Sequence, residues 1–96
     1  FNNLQTAQGG TTVLNVTASA VIKATAGYVA RIAVVSAPST SVTVYDAATL
    51  AAASTVNRVV VIAGTAGQVN QEVEFATSSG IVVDPGTNGV VTVKYQ

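Results

Sequence analysis

The chain is predicted to fold as a single all-β domain, an antiparallel β-sandwich of about eight short strands with Ig-like or jelly-roll connectivity. Apolar and polar residues alternate over strand-length stretches. Turn-forming residues separate these stretches roughly every 8–12 residues. Only residues 46–54 have the composition of a helix. A chain of 96 residues suffices for one core, so a second domain is not expected.

The first residues, FNNLQTAQGG, lack a sustained hydrophobic period and end in two glycines. We interpret residues 1–10 as an N-terminal arm and residues 11–96 as the sandwich domain. The arm is either a disordered tail or an extended segment that lies on a neighbouring subunit. Phe1 and Leu4 are its apolar anchors in the second case. Two short strands are predicted next, at residues 12–17 and 19–25.

The stretch 27–46, GYVARIAVVSAPSTSVTVYD, is predicted to form a β-hairpin at the centre of the fold. Its alternation places Ile32 and Val34 on one face and Val29 and Arg31 on the other. Residues 37–41 are the predicted turn, because proline cannot donate to a ladder and serine and threonine offer the backbone local hydrogen bonds.

Residues 46–54, DAATLAAAS, are rich in alanine, and Asp46 is a plausible N-cap. So short a helix is not stable without tertiary support. The sequence therefore predicts a single turn here that crosses between the two sheets.

The run 57–63, NRVVVIA, is nearly continuous in β-branched residues, which is typical of a strand covered on both sides. At a sheet edge such a strand needs a partner to prevent open-ended pairing, and Arg58 is its only charged residue. We expect a neighbour's arm to supply that cover. The predicted interface residues are Phe1, Leu4, Arg58, Val60 and Ile62.

The last third of the chain alternates cleanly over residues 69–76, with Glu72 and Glu74 facing water. Turns are predicted at 77–80, at Asp84-Pro85-Gly86 as a type II turn, and at Asn88-Gly89. Short strands are expected at 81–83 and 90–95. By alternation, the expected core comprises Ile32, Val34, Val44, Val73, Phe75, Ile81, Val83, Val91 and Val93.

Charged residues make up only 8% of the chain, whereas about 25% is usual. Four basic and four acidic residues leave a net charge of zero, so repulsion between copies is weak and neighbours are expected to cover much of the surface. The absence of a basic cluster argues against nucleic acid and anionic membrane as partners. No apolar run reaches the roughly 18 residues of a membrane-spanning helix.

Catalysis is not expected. The chain has no histidine and no cysteine, which excludes imidazole-activated nucleophiles and thiolate or imidazole metal sites. The remaining carboxyl pair, Glu72 and Glu74, is about 6.5–7 Å apart on an ideal strand, a separation found in inverting glycosidases. Its position on a solvated strand face does not suit a general acid. We predict that the chain is not an enzyme and that it holds no cofactor and no metal.

The order of several short motifs resembles that of small β-sandwich structural proteins of tailed bacteriophages, of the head decoration or cement type. The resemblance covers about residues 21–95. Its motifs are G-Y-V-A-R-I-A-V at 27–34, S-V-T-V-Y-D at 41–46, V-E-F at 73–75, G-I-V-V at 80–83 and V-T-V-K-Y at 91–95.

This resemblance implies a virion protein that stabilises the assembled head without catalysis. It would lie on the outer capsid surface, bound to the major capsid protein or to other virion proteins. A homo-oligomer is expected, with a trimer favoured, and neither nucleic acid nor membrane is an expected partner. The alternatives are another part of the virion, such as a tail or fibre protein, and an extracellular Ig-like adhesion or binding module.

Overall fold

The part of the chain that the structure describes contains eight β-strands. A computed structural model describes residues 11–63 and 69–96, with the side chains of 69–71 outside the description. The strands are β1 (Thr11–Val16), β2 (Ala20–Lys23), β3 (Gly27–Ser36), β4 (Ser41–Tyr45), β5 (Arg58–Ala63), β6 (Val69–Thr77), β7 (Ile81–Asp84) and β8 (Val90–Tyr95).

The strands form two four-stranded antiparallel sheets, which confirms the predicted all-β sandwich. Sheet 1 has the order β1-β8-β3-β6, and sheet 2 has the order β2-β7-β4-β5. The pairs β4–β5, β3–β6, β2–β7 and β1–β8 follow one another along a single two-stranded ribbon. Residues 46–57 form the closed end of this ribbon. The ribbon is rolled up, which brings β3 beside β8 and β4 beside β7, and these strands also pair. Of the two predicted connectivities, the strand order is that of a jelly roll.

The predicted hairpin at 27–46 is wrong, because β3 belongs to sheet 1 and β4 to sheet 2. The turn around Pro38 carries the chain from one sheet to the other. Two bonds fix it to the β7–β8 turn: the Ser39 N–H donates to the Thr87 carbonyl at 3.0 Å, and the Thr87 N–H donates to Thr40 Oγ1 at 2.9 Å. A period of two identifies a strand but not its neighbour, and a turn can reverse the chain within a sheet or between sheets.

The predicted crossing at 46–54 is also wrong, because the strands that it joins, β4 and β5, are neighbours in sheet 2. Residues 46–57 form the tip of the ribbon and end in a 3₁₀ turn, Thr55–Asn57. That turn is capped reciprocally: the Val56 N–H donates to Ser54 Oγ at 3.3 Å, and the Ser54 N–H donates to Asn57 Oδ1 at 2.9 Å. Ser54 is therefore the N-cap in this segment. Asp46 instead accepts hydrogen bonds from the turn between β6 and β7.

Side chains from both sheets meet in one hydrophobic core. Every residue assigned to the core by alternation is buried except Phe75. The core is built almost entirely from valine and isoleucine, which pack well on a pleated surface. Its members are Val16, Val29, Ile32, Val34, Val42, Val44, Ile62, Val73, Ile81, Val83, Val91 and Val93.

Phe75 is 52% exposed, so its assignment to the core is wrong. The reason is an irregularity on β6, where two steps along β3, from Val29 to Arg31, correspond to three steps along β6. Glu74 has a left-handed φ of 52°. The extra residue breaks the alternation between Val73, which is buried, and Phe75.

The assignment of Val29 is also wrong. Val29 was expected on the face opposite Ile32 and Val34, but it is fully buried. The register of β3 against β8 shifts by one residue between Val29 and Arg31. The alternation therefore changes phase there, and Val29 joins the core while Arg31 remains on the outer face.

The turn predicted at Asp84-Pro85-Gly86 is matched at Gly86, whereas the hydrogen-bonded turn lies at Gly86–Gly89, where the Gly89 N–H donates to the Gly86 carbonyl at 3.3 Å. Gly86 has φ 83°, the positive value needed at the third position of a type II turn. Its N–H donates to Asp84 Oδ1 at 2.9 Å. Asn88, in the adjoining Asn-Gly turn, has φ 62°.

Two truncations test the assignment of faces. Ile32→Ala removes a fully buried side chain and is expected to lower the free energy of unfolding by about 2–5 kcal/mol. Phe75→Ala, at a half-exposed edge position, is expected to lower it by less than about 1 kcal/mol. Chemical denaturation of both variants measures the difference. A Phe75→Ala loss as large as that of Ile32→Ala would show that Phe75 packs in the core.

Candidate functional site

The predicted interface residues that the structure describes lie on β5. Phe1 and Leu4 fall outside the described residues. Arg58 is exposed at the start of β5, Val60 is half-buried against the core, and Ile62 is buried within it. The side chains of Val60 and Ile62 therefore support the core rather than face a partner. An interface at β5 would have to use its backbone and its outward side chains.

The described residues of the chain do not cover β5 on both sides, contrary to the expectation from its sequence. The strand pairs with β4 at the end of sheet 2, and Val61 on its outer face is 47% exposed. A run of β-branched residues is compatible with an edge strand when one face is buried and the other is simply apolar.

A groove of about 690 Å³ lies on the outer face of sheet 1. Half of the chain's charged residues line it. In the register of the sheet, Arg31 stands opposite Lys94 on β8 and opposite Glu72 on β6. The lining consists of Tyr28, Ala30, Arg31, Glu72, Glu74, Lys94 and Gln96.

The groove has no net charge, because two basic and two acidic side chains line it. Arg31 Nη2 lies 3.3 Å from Glu72 Oε2, and both side chains are about half exposed, so this ion pair contributes at most about 1 kcal/mol. Donors, acceptors and the ring of Tyr28 stand close together. Such a surface suits an uncharged polar ligand better than an ion.

Glu72 and Glu74 are exposed, as the sequence predicted. A carboxyl group becomes a general acid when an apolar pocket encloses it and keeps it protonated, and an open groove does not provide that enclosure. Among the described residues, no three carboxylate, imidazole or thiol side chains are grouped to hold a metal ion. That the chain is not an enzyme stays a prediction. No helix in the described ranges is long and apolar enough to cross a membrane.

Asp46 holds the tip of the ribbon to the turn between β6 and β7. Its Oδ1 accepts the N–H groups of Ser79 at 2.8 Å and Gly80 at 3.3 Å, and its Oδ2 accepts the N–H and the hydroxyl of Ser78, each at 3.0 Å. The Ser78 N–H is the main cause that lowers the pKa of Asp46 below its ordinary value of 3.8, with the other donors adding to it and partial burial opposing it.

The close approach at this anchor also requires a glycine. A Cβ on Gly80 would lie 2.5 Å from the Ala47 carbonyl oxygen and 2.7 Å from the Lys23 carbonyl oxygen. The contact was not predicted from the sequence, in which Asp46 was interpreted as a helix cap. The sequence shows an acidic residue directly after a strand and, 32 residues later, a Ser-Ser-Gly turn. Nothing in the sequence indicates that the two are in contact.

Comparison with known proteins adds no relative. No protein-family model matches the chain, and no match was found among curated proteins or solved structures.

Asp46→Asn tests the anchor through the pH dependence of stability. The amide cannot accept all the donors that the carboxylate accepts, so the free energy of unfolding at pH 7 is expected to fall by about 1–2 kcal/mol after allowance for solvent screening. Because the folded-state pKa is below the unfolded value, the wild-type contribution is present above pH 3.8 and is lost as the pH falls through the folded-state pKa.

Urea denaturation at several pH values between about 2 and 7 measures both effects. The matched control is Asp84→Asn, since the Asp84 side chain accepts one backbone N–H, that of Gly86, within its own turn. The stabilities of wild type and Asp46→Asn should converge at low pH. A constant difference across the whole range would contradict the role of the carboxylate charge.

Proposed function

We propose that the chain is a virion structural protein, specifically a capsid decoration or cement protein that binds the assembled phage head from outside. Eight-stranded jelly rolls occur in viral capsid and lectin domains, and this chain has the corresponding strand order. That argument is an analogy at the level of the fold. The motif order within residues 21–95 supports the same proposal through its resemblance to phage head proteins.

The observation that carries the proposal is the apolar character of the surface. Charged residues make up 8% of the chain, and large apolar side chains are exposed on several strands and at the ribbon tip. A surface with few charges and several exposed apolar side chains is weakly protected from association, which favours a protein that works as part of an assembly. The exposed side chains are Leu14, Val21, Val35, Leu50, Val56, Val61 and Phe75.

The ribbon tip is the part we propose for contact with the head. Val56 is 93% exposed, more than any other of these side chains, and Leu50 is on the same connection. The tip is held in place by the Asp46 anchor and by the Ser54 cap. An apolar side chain presented by a fixed loop loses little conformational entropy when it binds.

The second candidate is an extracellular adhesion or binding module, and the groove on sheet 1 favours it. Lectin domains share the jelly-roll architecture, and the groove brings Tyr28, Gln96 and four balanced charges together. An uncharged saccharide would meet both donors and acceptors there. Under this proposal the groove, and not the ribbon tip, is the binding surface.

Binding to phage heads distinguishes the two candidates. As a decoration protein, the full chain should be present at a fixed high copy number on purified particles and should rebind to heads from which it has been removed. Leu50→Ser/Val56→Ser should weaken rebinding at least about 10-fold, the equivalent of about 1.4 kcal/mol. Leu14→Ser, at an exposed site on β1, is the matched control and should bind normally.

The copy number follows from quantitative gel analysis of the particles, and the affinity from sedimentation with stripped heads. An unmodified chain that does not bind heads, but whose saccharide binding is abolished by Tyr28→Ala, would replace the first candidate with the second. Discovery of this sequence among tandem similar domains of a longer cell-surface protein would have the same effect.

A further inference from the structure

We infer that two copies of this chain pair through β5, edge to edge and antiparallel, about a two-fold axis at Val61. The pairing would join the two copies of sheet 2 into one sheet of eight strands. It goes beyond the proposed function and does not rest on it, because it concerns only the edges of this fold.

The described strands present four edges, β1 and β6 in sheet 1 and β2 and β5 in sheet 2. An edge is protected from pairing by charges, by short length or by irregular backbone. β1 has an irregular register between Val13 and Val16, with a left-handed Asn15 at φ 55°. β2 has only four residues, ends in Lys23 and shifts register beside it. Neither strand offers a regular edge.

β6 is protected more strongly. Glu72 and Glu74 are both exposed on this strand, and a partner strand would bring its own groups against their charges. Glu74 has a left-handed φ, and the strand carries an extra residue between its pairs with Val29 and Arg31. Bulges of this kind twist an edge away from a partner.

β5 has none of these protections over its last four residues. Val60, Val61, Ile62 and Ala63 pair with β4 in unbroken register, from Val44↔Val60 to Ser41↔Ala63. Its register shift lies at the other end, between Val44 and Tyr45, beside its one charged residue, Arg58. This regular, uncharged and β-branched edge is of the kind that accepts another strand.

A second copy of β5 fits this edge. A two-fold axis perpendicular to the sheet keeps the core face of each copy on the same side, so each residue must pair with one of the same face. With the axis at Val61, that residue pairs with its own copy, and Val60 pairs with Ile62 of the second copy. Pairing is then confined to the regular part of the strand, and the exposed Val61 side chains cover each other.

The charges permit the antiparallel arrangement and oppose a parallel one. Arg58 is three positions from the axis in each copy, so the two guanidinium-bearing residues are separated along the strands by roughly 20 Å at about 3.3 Å per residue. That exceeds the screening length of about 8 Å at physiological ionic strength. A parallel pairing in register would instead place the two Arg58 residues side by side.

The arrangement also stops at two copies. A two-fold interface uses the same edge of both partners, so the dimer has no free β5 left, and its outer edges are the protected ones. The N-terminal arm, which the sequence analysis placed on β5, is the poorer occupant. FNNLQTAQGG is rich in asparagine, glutamine and glycine and has no β-branched apolar residue, and asparagine and glycine are depleted in strands.

Single-cysteine cross-linking tests the register directly, because the chain has no cysteine of its own. Residues directly opposite in an antiparallel pair have Cα atoms about 4.5–5.5 Å apart, which is within disulfide range. Under a glutathione redox buffer, Val61→Cys is expected to form covalent dimers at least about 10-fold faster than Val21→Cys or Val56→Cys. Val21 and Val56 are exposed controls, at 40% and 93%. Equal rates for the three variants would overturn the proposal.

Sedimentation equilibrium of the full chain tests the interface without a cross-link. A short strand interface is at the weak end of protein interfaces, so a dimer dissociation constant on the order of micromolar is expected. Val61→Lys places two ammonium groups directly opposite each other and should weaken the dimer at least about 10-fold. Val61→Thr, which keeps the branched shape, and Val21→Lys, on the protected β2, should leave it unchanged.

Three results of the sedimentation experiments would also overturn the inference. The first is a wild-type chain that remains monomeric up to about 300 µM, far above a micromolar dissociation constant. The second is a Val61→Lys variant that dimerises like the wild type. The third is a Phe1→Ser/Leu4→Ser variant of the full chain that loses the dimer, which would identify the arm as the occupant. Val61→Thr and Val61→Cys keep the test valid if Val61→Lys does not fold.

Discussion

The two sheets are held together by the packing of short β-branched side chains between them. Ile32, Val91 and Val93 from sheet 1 and Val44 and Ile81 from sheet 2 are fully buried. Each sheet alone would expose this apolar face to water. Rolling the ribbon places the apolar face of one sheet against that of the other, so that both are removed from water. The strand pairs of the ribbon, from β4–β5 to β1–β8, join strands that are progressively farther apart in the chain.

The rolled ribbon explains why the polar anchors are placed where they are. The Asp46 carboxylate ties the tip to the β6–β7 turn, and the Pro38 crossing is bonded to the β7–β8 turn through Ser39 and Thr87. Both contacts join connections that are distant in sequence. These contacts fix the register of the two sheets. The core alone would do so weakly, because its side chains are small and similar and would also pack if the strands were shifted.

The sequence was sufficient for the fold class and for most of the core, because period-two alternation identifies the buried face of a strand wherever the strand is regular. It failed at Phe75 and Val29, where an extra residue changes the phase of the alternation. It also failed at two connections, those between β3 and β4 and between β4 and β5. Alternation says nothing about which sheet a strand joins, so the crossing at Pro38 and the tip at residues 46–57 were interchanged.

The candidate surfaces were less predictable than the fold. The run of valines in β5 signalled a strand in need of cover, but only the sheet order shows that it is an edge and that Val61, not Ile62, is its exposed side chain. The groove on sheet 1 combines residues from three strands that the sequence separates widely, namely Arg31, Glu72 and Lys94. No local pattern predicts their meeting.

Amide hydrogen exchange at two protein concentrations distinguishes the β5 edge from the three protected edges of the two sheets. Below the dimer dissociation constant, the outward-facing amides of β5 should exchange as edge amides do, and above it they should become protected. The outer amides of β1, β2 and β6 should exchange at the same rate at both concentrations. Protection that does not depend on concentration at β5, or that rises equally at all four edges, would contradict the account.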